Sequence, residues 1–149
     1  MQGVDQILVV DDDGDFVLLL RMAFEYAGFE GGIHVAPDGD RAIEYLNDQS
    51  GLNEDIANPQ PSLVLLDLRL PRLPGVAVLR WIRQQPELVA LPVILMTGIE
   101  TDVEEQLVEE FGATNWFVKP LGFAQLVETA HDLCASRLTA SHQLGPAFH

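Results

Sequence analysis

The apolar residues of this chain fall into five short, continuous runs that are separated by longer amphipathic stretches. The runs are Ile7–Val10, Ile33–Val35, Leu63–Leu66, Val93–Met96 and Trp116–Val118. Continuous apolar runs without alternation are typical of strands that are buried on both faces, as in a parallel sheet. The pattern therefore predicts five parallel strands.

The stretches between the runs place apolar residues at helical spacing. In the first stretch, Val17, Leu20 and Phe24 share one face, and Gly28 is positioned to end the helix. Asp38 is placed to cap the second helix. The three later helices carry the apolar sets Val78, Leu79, Ile82; Val103, Leu107, Phe111; and Phe123, Leu126, Val127, Ala130, Leu133. Each strand is therefore followed by a helix.

This alternation predicts a doubly wound α/β fold. Right-handed crossovers would give a three-layer sandwich around a five-stranded parallel sheet of flavodoxin-like order 2-1-3-4-5. We expect one domain over residues 1–137 and a frayed tail over residues 138–149, because the apolar period fades from Ser136. The polar stretch Asn47–Gln60 is expected to form a surface loop.

Composition narrows the possible partners and compartments. The 149 residues include 8 Lys plus Arg against 23 Asp plus Glu, a net charge of −15, which argues against binding to a nucleic-acid backbone. No apolar run approaches the ~18 residues that a membrane span requires. The single cysteine, Cys134, fits a reducing compartment, and the polar N-terminus does not read as a secretory signal. We therefore expect a cytoplasmic protein with no membrane association.

Polar side chains follow the strands at the ends where a parallel sheet of this type binds ligands. Asp11 and Asp12 follow the first run, Asp67 the third, Thr97 ends the fourth and Lys119 follows the fifth. Neighbouring carboxylates repel one another, and oxygen donors suit a hard cation such as Mg²⁺. A carboxylate beside such a cation can attack phosphorus, while Lys119 neutralises charge and Thr97 donates a hydrogen bond. The pattern thus indicates phosphoryl chemistry.

Four segments, in the expected order, resemble the receiver domain of two-component response regulators. They are Ile7–Asp13, Leu63–Pro71, Val93–Gly98 and Phe117–Leu121. The resemblance implies that Asp67 accepts a phosphoryl group from a phosphohistidine, and that the protein is a signalling phosphoacceptor and no enzyme acting on other substrates.

The resemblance also implies roles for the residues around Asp67. Asp12 and Asp67 would bind Mg²⁺ through their carboxylates, Arg69 through its backbone carbonyl, and Asp11 through water. Thr97 and Lys119 would assist at the phosphoryl group. Thr97 and Trp116 would form the switch, with Trp116 at the signalling surface.

The expected partners follow from the same resemblance. A sensor histidine kinase or a phosphotransfer protein would donate the phosphoryl group, and a downstream protein would receive the signal. The chain most resembles stand-alone receivers that partner bacterial phytochromes. A homodimer is expected to use a face formed by the predicted helix at about residues 100–111, the fifth strand and the last helix.

Three other interpretations of the acidic residues explain less of the sequence. A phosphatase of the haloacid dehalogenase class would use Asp11 and Asp13, but this leaves Asp67 unexplained and lacks a suitable acidic pair after Lys119. A calcium loop fails because Phe16 stands where glycine is needed. A pure interaction module would use the acidic helix at residues 100–111 as a docking surface, although a solvated face is the simpler interpretation.

Overall fold

The computed structural model describes residues 5–47, 60–98, 110–119 and 122–135. Strands and helices alternate along the chain as the apolar pattern predicts. The strands are β1 (Gln6–Val10), β2 (Gly32–Ala36), β3 (Leu63–Asp67), β4 (Val93–Thr97) and β5 (Asn115–Val118). The helices are α1 (Gly14–Tyr26), α2 (Gly39–Asn47), α3 (Gly75–Gln84) and α4 (Phe123–Ala135), with a 3-10 turn at Pro86–Leu88.

The sheet is parallel throughout, and its strand order is β2-β1-β3-β4-β5. This confirms the predicted doubly wound topology. Two apolar clusters cover the two faces of the sheet, one with α1 and α4 and the other with α2 and α3. All five residues of β3 and of β4 are buried, which explains why their sequences do not alternate.

Local signals in the sequence set the boundaries of two helices. After α1, Gly28 adopts a φ of 95°, and the N–H groups of Gly28 and Phe29 donate to the carbonyls of Glu25 and Phe24. This pair of bonds is the Schellman arrangement, which accommodates glycine at the left-handed position. At α2, the Arg41 N–H donates to Asp38 Oδ1 at 2.8 Å, so Asp38 caps the helix as predicted.

Some predictions concern residues outside the described ranges. Of the predicted helix at residues 100–111, Glu110 and Phe111 are described, and both are helical. Most of the loop predicted at 47–60 and the tail at 138–149 lie outside, so the domain boundary stays a prediction. None of the helices in the described segments is long and apolar enough to span a membrane.

Candidate functional site

The ends of β1, β3, β4 and β5 meet at one edge of the sheet, and backbone hydrogen bonds continue beyond the strands there. The Asp11 N–H donates to the Ala36 carbonyl at 3.1 Å, and the Lys119 N–H donates to the Thr97 carbonyl at 2.6 Å. These bonds fix the backbone of residues that immediately follow the strands. Their side chains are therefore held at the edge where the sequence predicted a site.

The Lys119 ammonium bridges two buried carboxylates. Its Nζ lies 2.8 Å from Asp11 Oδ2 and 3.3 Å from Asp67 Oδ2. Asp11 is 2% exposed and Asp67 is 6% exposed, so both carboxylates have left most of their water. Charges buried to this extent are tolerated when they are paired. The site therefore brings Asp11, Asp67 and Lys119 together as predicted.

A third carboxylate completes an acidic cluster. One oxygen from each of Asp11, Asp12 and Asp67 lies within 4.8 Å of the others, and Asp12 is exposed to solvent. When ionised, the three carboxylates outnumber the single Lys119 ammonium by two negative charges. Because the excess equals the charge of one divalent cation, the cluster is electrostatically suited to such an ion.

The protonation behaviour of Asp11 reflects its burial. Loss of water raises the pKa of Asp11 to about 6, against the lowering effects of Lys119 and of the Asp13 N–H, which donates to Asp11 Oδ1 at 2.9 Å. Burial alone would lower the pKa of Lys119, but the Asp11 and Asp67 carboxylates outweigh it and raise that pKa. Lys119 is therefore held in its charged form.

One oxygen of Asp11 remains without an aligned hydrogen bond. Lys119 Nζ lies close to Asp11 Oδ2, yet within the described residues no donor is directed at this buried oxygen. The contact is therefore a charge–charge contact rather than a well-aligned hydrogen bond. A buried acceptor with unused capacity, next to two further carboxylates, fits a hard cation such as Mg²⁺.

The backbone around Asp67 is tightly packed against the start of α3. Asp67 Oδ1 accepts a hydrogen bond from the Arg69 N–H at 2.9 Å, and the Gly75 N–H donates to the Leu68 carbonyl at 3.1 Å. A Cβ atom at Gly75 would lie only 2.3 Å from the Asp67 carbonyl oxygen. Glycine is therefore favoured where α3 approaches the end of β3.

Most of this chain matches a known protein family. The family model described as the response regulator receiver domain matches residues 7–131. The chain belongs to the response regulator receiver family. A curated relative, the probable methanogenesis regulatory protein FilR2 of Methanothrix harundinacea, is 34% identical over 141 residues, covering 95% of this chain and 88% of that protein.

Solved structures of similar receivers share this fold. The bacteriophytochrome response regulator RtBRR is 31% identical, with 83% of this chain and 74% of that chain covered and a TM-score of 0.70. The Mn²⁺-bound form of Rcp1 is 27% identical, with 95% and 99% covered and a TM-score of 0.73. This receiver spans only 42% of another curated relative, PhoP of Bacillus subtilis.

The predicted switch residues lie on one side of the sheet of this receiver. Leu95 pairs with Trp116 and Thr97 with Val118. Because side chains two residues apart on a strand lie on the same face, Thr97 shares the face of Leu95 and therefore that of Trp116. Thr97 is fully buried and Trp116 is 6% exposed. The prediction that Trp116 lies at the surface is therefore wrong: its ring packs into the cluster that α2 and α3 cover.

Two residues near the site had no role in the sequence prediction. The Phe16 ring lies under the Lys119 ammonium, with Nζ 4.5 Å from the ring centroid. Arg72 adopts a φ of 62° and pairs with Asp38 at 3.2 Å and Asp40 at 3.6 Å, joining the loop after β3 to the start of α2. For Phe16, an aromatic residue in the first turn of α1 was an available signal. No local signal indicated the left-handed Arg72.

Proposed function

We propose that this receiver accepts a phosphoryl group on Asp67 from the phosphohistidine of a sensor histidine kinase or a phosphotransfer protein. The reaction depends on Mg²⁺, and the phosphorylated receiver signals to a downstream protein through a conformational change. The observation that best supports this proposal is the Lys119 ammonium, held between the Asp11 and Asp67 carboxylates at the ligand-binding edge of the sheet.

The transfer step assigns a role to each group of the site. A carboxylate oxygen of Asp67 forms a bond to phosphorus while the bond from phosphorus to the donor imidazole nitrogen breaks. The electron pair of that bond stays on the nitrogen, and because the second ring nitrogen of the phosphohistidine carries a proton, the donor leaves as neutral imidazole. Lys119 balances charge on the phosphoryl oxygens, and the Thr97 hydroxyl donates a hydrogen bond to one of them.

The acidic cluster provides the donors for the metal ion. In the proposal, Asp12 and Asp67 bind Mg²⁺ through carboxylate oxygens, Arg69 through its backbone carbonyl, and Asp11 through water. Bound Mg²⁺ would neutralise charge on the phosphoryl group. Support comes from the donor chemistry of the three carboxylates and from the similar receiver Rcp1, which was solved in a Mn²⁺-bound form.

The signal is proposed to pass from Thr97 to Trp116. Their shared face of the sheet supports this coupling, since a hydroxyl drawn toward the phosphoryl group leaves space that an aromatic ring can fill. The face formed by residues 100–111, β5 and α4 is the proposed site of homodimer contact. Backbone NMR shifts confined to the surroundings of Asp67, with none in β5, would contradict the coupling.

The cellular setting is also part of the proposal. Similarity to bacteriophytochrome response regulators favours a phytochrome-type sensor kinase as the donor. We propose a cytoplasmic location, and the net charge of −15 favours protein partners over nucleic acid.

Site-specific phosphorylation tests the proposal. The protein is incubated with a small acyl phosphate and Mg²⁺, and the adduct is measured by intact mass and mapped by peptide analysis. We expect one phosphoryl group on Asp67, lost in Asp67→Asn and retained in the matched control Asp132→Asn, which removes a carboxylate from α4. Undiminished labelling of Asp67→Asn would contradict the proposal.

A further inference from the structure

Lys119 is held by an aromatic ring as well as by carboxylates. Its Nζ lies 4.5 Å from the centroid of the Phe16 ring, within the range of an attractive cation–π contact. The site is depleted of water, because Asp11 and Asp67 are buried and Phe16 and Lys119 are partly buried. Cation–π contacts strengthen as water is removed, so the ring can influence where the ammonium rests.

A closed circuit of contacts fixes the Phe16 ring relative to the edge of the sheet that carries Asp67. The Asp13 N–H donates to Asp11 Oδ1 at 2.9 Å, and Asp13 Oδ1 accepts from the Phe16 N–H at 3.2 Å. Phe16 then faces Lys119, and Lys119 returns to Asp11 Oδ2 at 2.8 Å. The cap that starts α1 is therefore also the support that places the Phe16 ring under the ammonium.

Two carboxylates bind the Lys119 ammonium, Asp11 at 2.8 Å and Asp67 at 3.3 Å. The approach to Asp11 Oδ2 lacks an aligned hydrogen bond, and the hydrogen bond to Asp67 Oδ2 is 3.3 Å long. A flexible ammonium has no rigid donor fork to orient it. The Phe16 ring adds a third, aromatic contact to the ammonium, which restricts its position further.

We propose that Phe16 is a positioning residue that holds the Lys119 ammonium against Asp67 for phosphoryl transfer. This inference rests on the proposed function of Asp67 and adds a residue that acts through Lys119. Only an aromatic side chain at position 16 meets the requirement, since an aliphatic chain of similar size fills space without attracting the cation.

Phosphorylation kinetics with a small acyl phosphate and saturating Mg²⁺ test the proposal. We expect Phe16→Leu to slow labelling of Asp67 about fivefold, equivalent to about 1 kcal/mol of barrier. Phe16→Tyr should restore the rate to within about twofold of wild type, because it keeps the ring. Phe29→Leu is the matched control: it removes a partly buried ring that packs on Phe24, and it should leave the rate unchanged.

A second readout does not depend on phosphorylation. In ¹H–¹³C spectra, the methylene beside the Lys119 ammonium should be shifted upfield by the ring in wild type and Phe16→Tyr, and not in Phe16→Leu. If wild-type Asp67 is not labelled while the upfield shift is present, the proposed function fails and the positioning contact stands. An unshifted methylene in wild type, an unchanged rate in Phe16→Leu, or equal slowing in Phe16→Tyr would overturn the inference.

Discussion

Removal of the exposed carboxylate of the acidic cluster should stabilise the protein when no divalent cation is present. Asp12 lies within 4.8 Å of carboxylate oxygens of both Asp11 and Asp67. In the part of the chain that the structure describes, Asp12 forms no ion pair that would offset this repulsion. Asp12→Asn keeps the shape of the side chain and removes its charge, so it isolates the electrostatic effect.

The size of the effect follows from Coulomb's law. With the oxygens within 4.8 Å of one another, each pair repels by at least about 0.9 kcal/mol in a water-like dielectric and at least about 3.5 kcal/mol at an effective dielectric of about 20. The exposure of Asp12 favours the lower figure, or about 1.7 kcal/mol for two pairs. A carboxylate near the N-terminus of α1 gains about 0.3–1 kcal/mol. Attraction to the Lys119 ammonium, which lies against both carboxylates, offsets about 0.5 kcal/mol more. The expected net gain on removing the charge is about 0.5 kcal/mol.

Urea unfolding at pH 8 in EDTA measures this gain. Asp12→Asn should raise the free energy of unfolding by about 0.5 kcal/mol. Added Mg²⁺ should stabilise wild type more than the variant, because the variant lacks a ligand. The control Asp15→Asn removes an exposed carboxylate from the first turn of α1 and should give no stabilisation.

The gain should also depend on pH. The pKa of Asp11 is raised from 3.8 to about 6, so ionisation of Asp11 destabilises the metal-free fold as the pH rises through this interval. At pH 5 most of Asp11 is protonated, and its repulsion with Asp12 is largely absent. A metal-free Asp12→Asn protein no more stable than wild type at pH 8, or one with the same gain at pH 5 and pH 8, would refute the reasoning.

Other substitutions probe separate parts of the molecule. Gly75→Ala should lower the free energy of unfolding by about 1–3 kcal/mol, because its Cβ would lie 2.3 Å from the Asp67 carbonyl; equal urea midpoints would contradict this. Burial raises the pKa of Cys134 to about 11, so alkylation by iodoacetamide should be slow at pH 8 and accelerate about tenfold per pH unit below that pKa; a rate equal to that of a free thiol would refute it. We expect the side chains of Arg69 and Ile99 to obstruct the water that hydrolyses the phosphorylated Asp67; Ile99 lies outside the described residues. Replacing Arg69 by Asn and Ile99 by Glu should therefore speed dephosphorylation at least tenfold, equivalent to about 1.4 kcal/mol of barrier. An unchanged dephosphorylation rate would exclude this obstruction.

The fold could be predicted because its determinants are local or periodic. Strands buried on both faces are apolar along most of their length, and β3 and β4 meet this requirement at every position except their last residues, Asp67 and Thr97. The glycine after α1 and the aspartate before α2 act through bonds to residues within a few positions. Such short-range requirements are visible in a single sequence.

Much of the site geometry could also be anticipated from topology. Because the strands are parallel, residues that follow them lie at one edge, which brings Asp11, Asp67 and Lys119 together from distant parts of the chain. The side-chain environments could not be anticipated in the same way. Trp116 is buried in a cluster to which several strands and helices contribute, and the left-handed Arg72 pairs with Asp38 and Asp40, which are distant in the sequence.

The circuit that joins Asp11, Asp13, Phe16 and Lys119 also restricts the length of the chain between β1 and α1. Each added or deleted residue turns a helix by about 100° about its axis. One insertion between Asp13 and Phe16 would therefore swing the ring away from the ammonium while leaving the composition of the segment nearly unchanged. Substitutions at Gly14 and Asp15, whose side chains take no part in the circuit, are tolerable in principle, whereas insertions and deletions are not, so spacing here is as much a part of the site as the residues themselves.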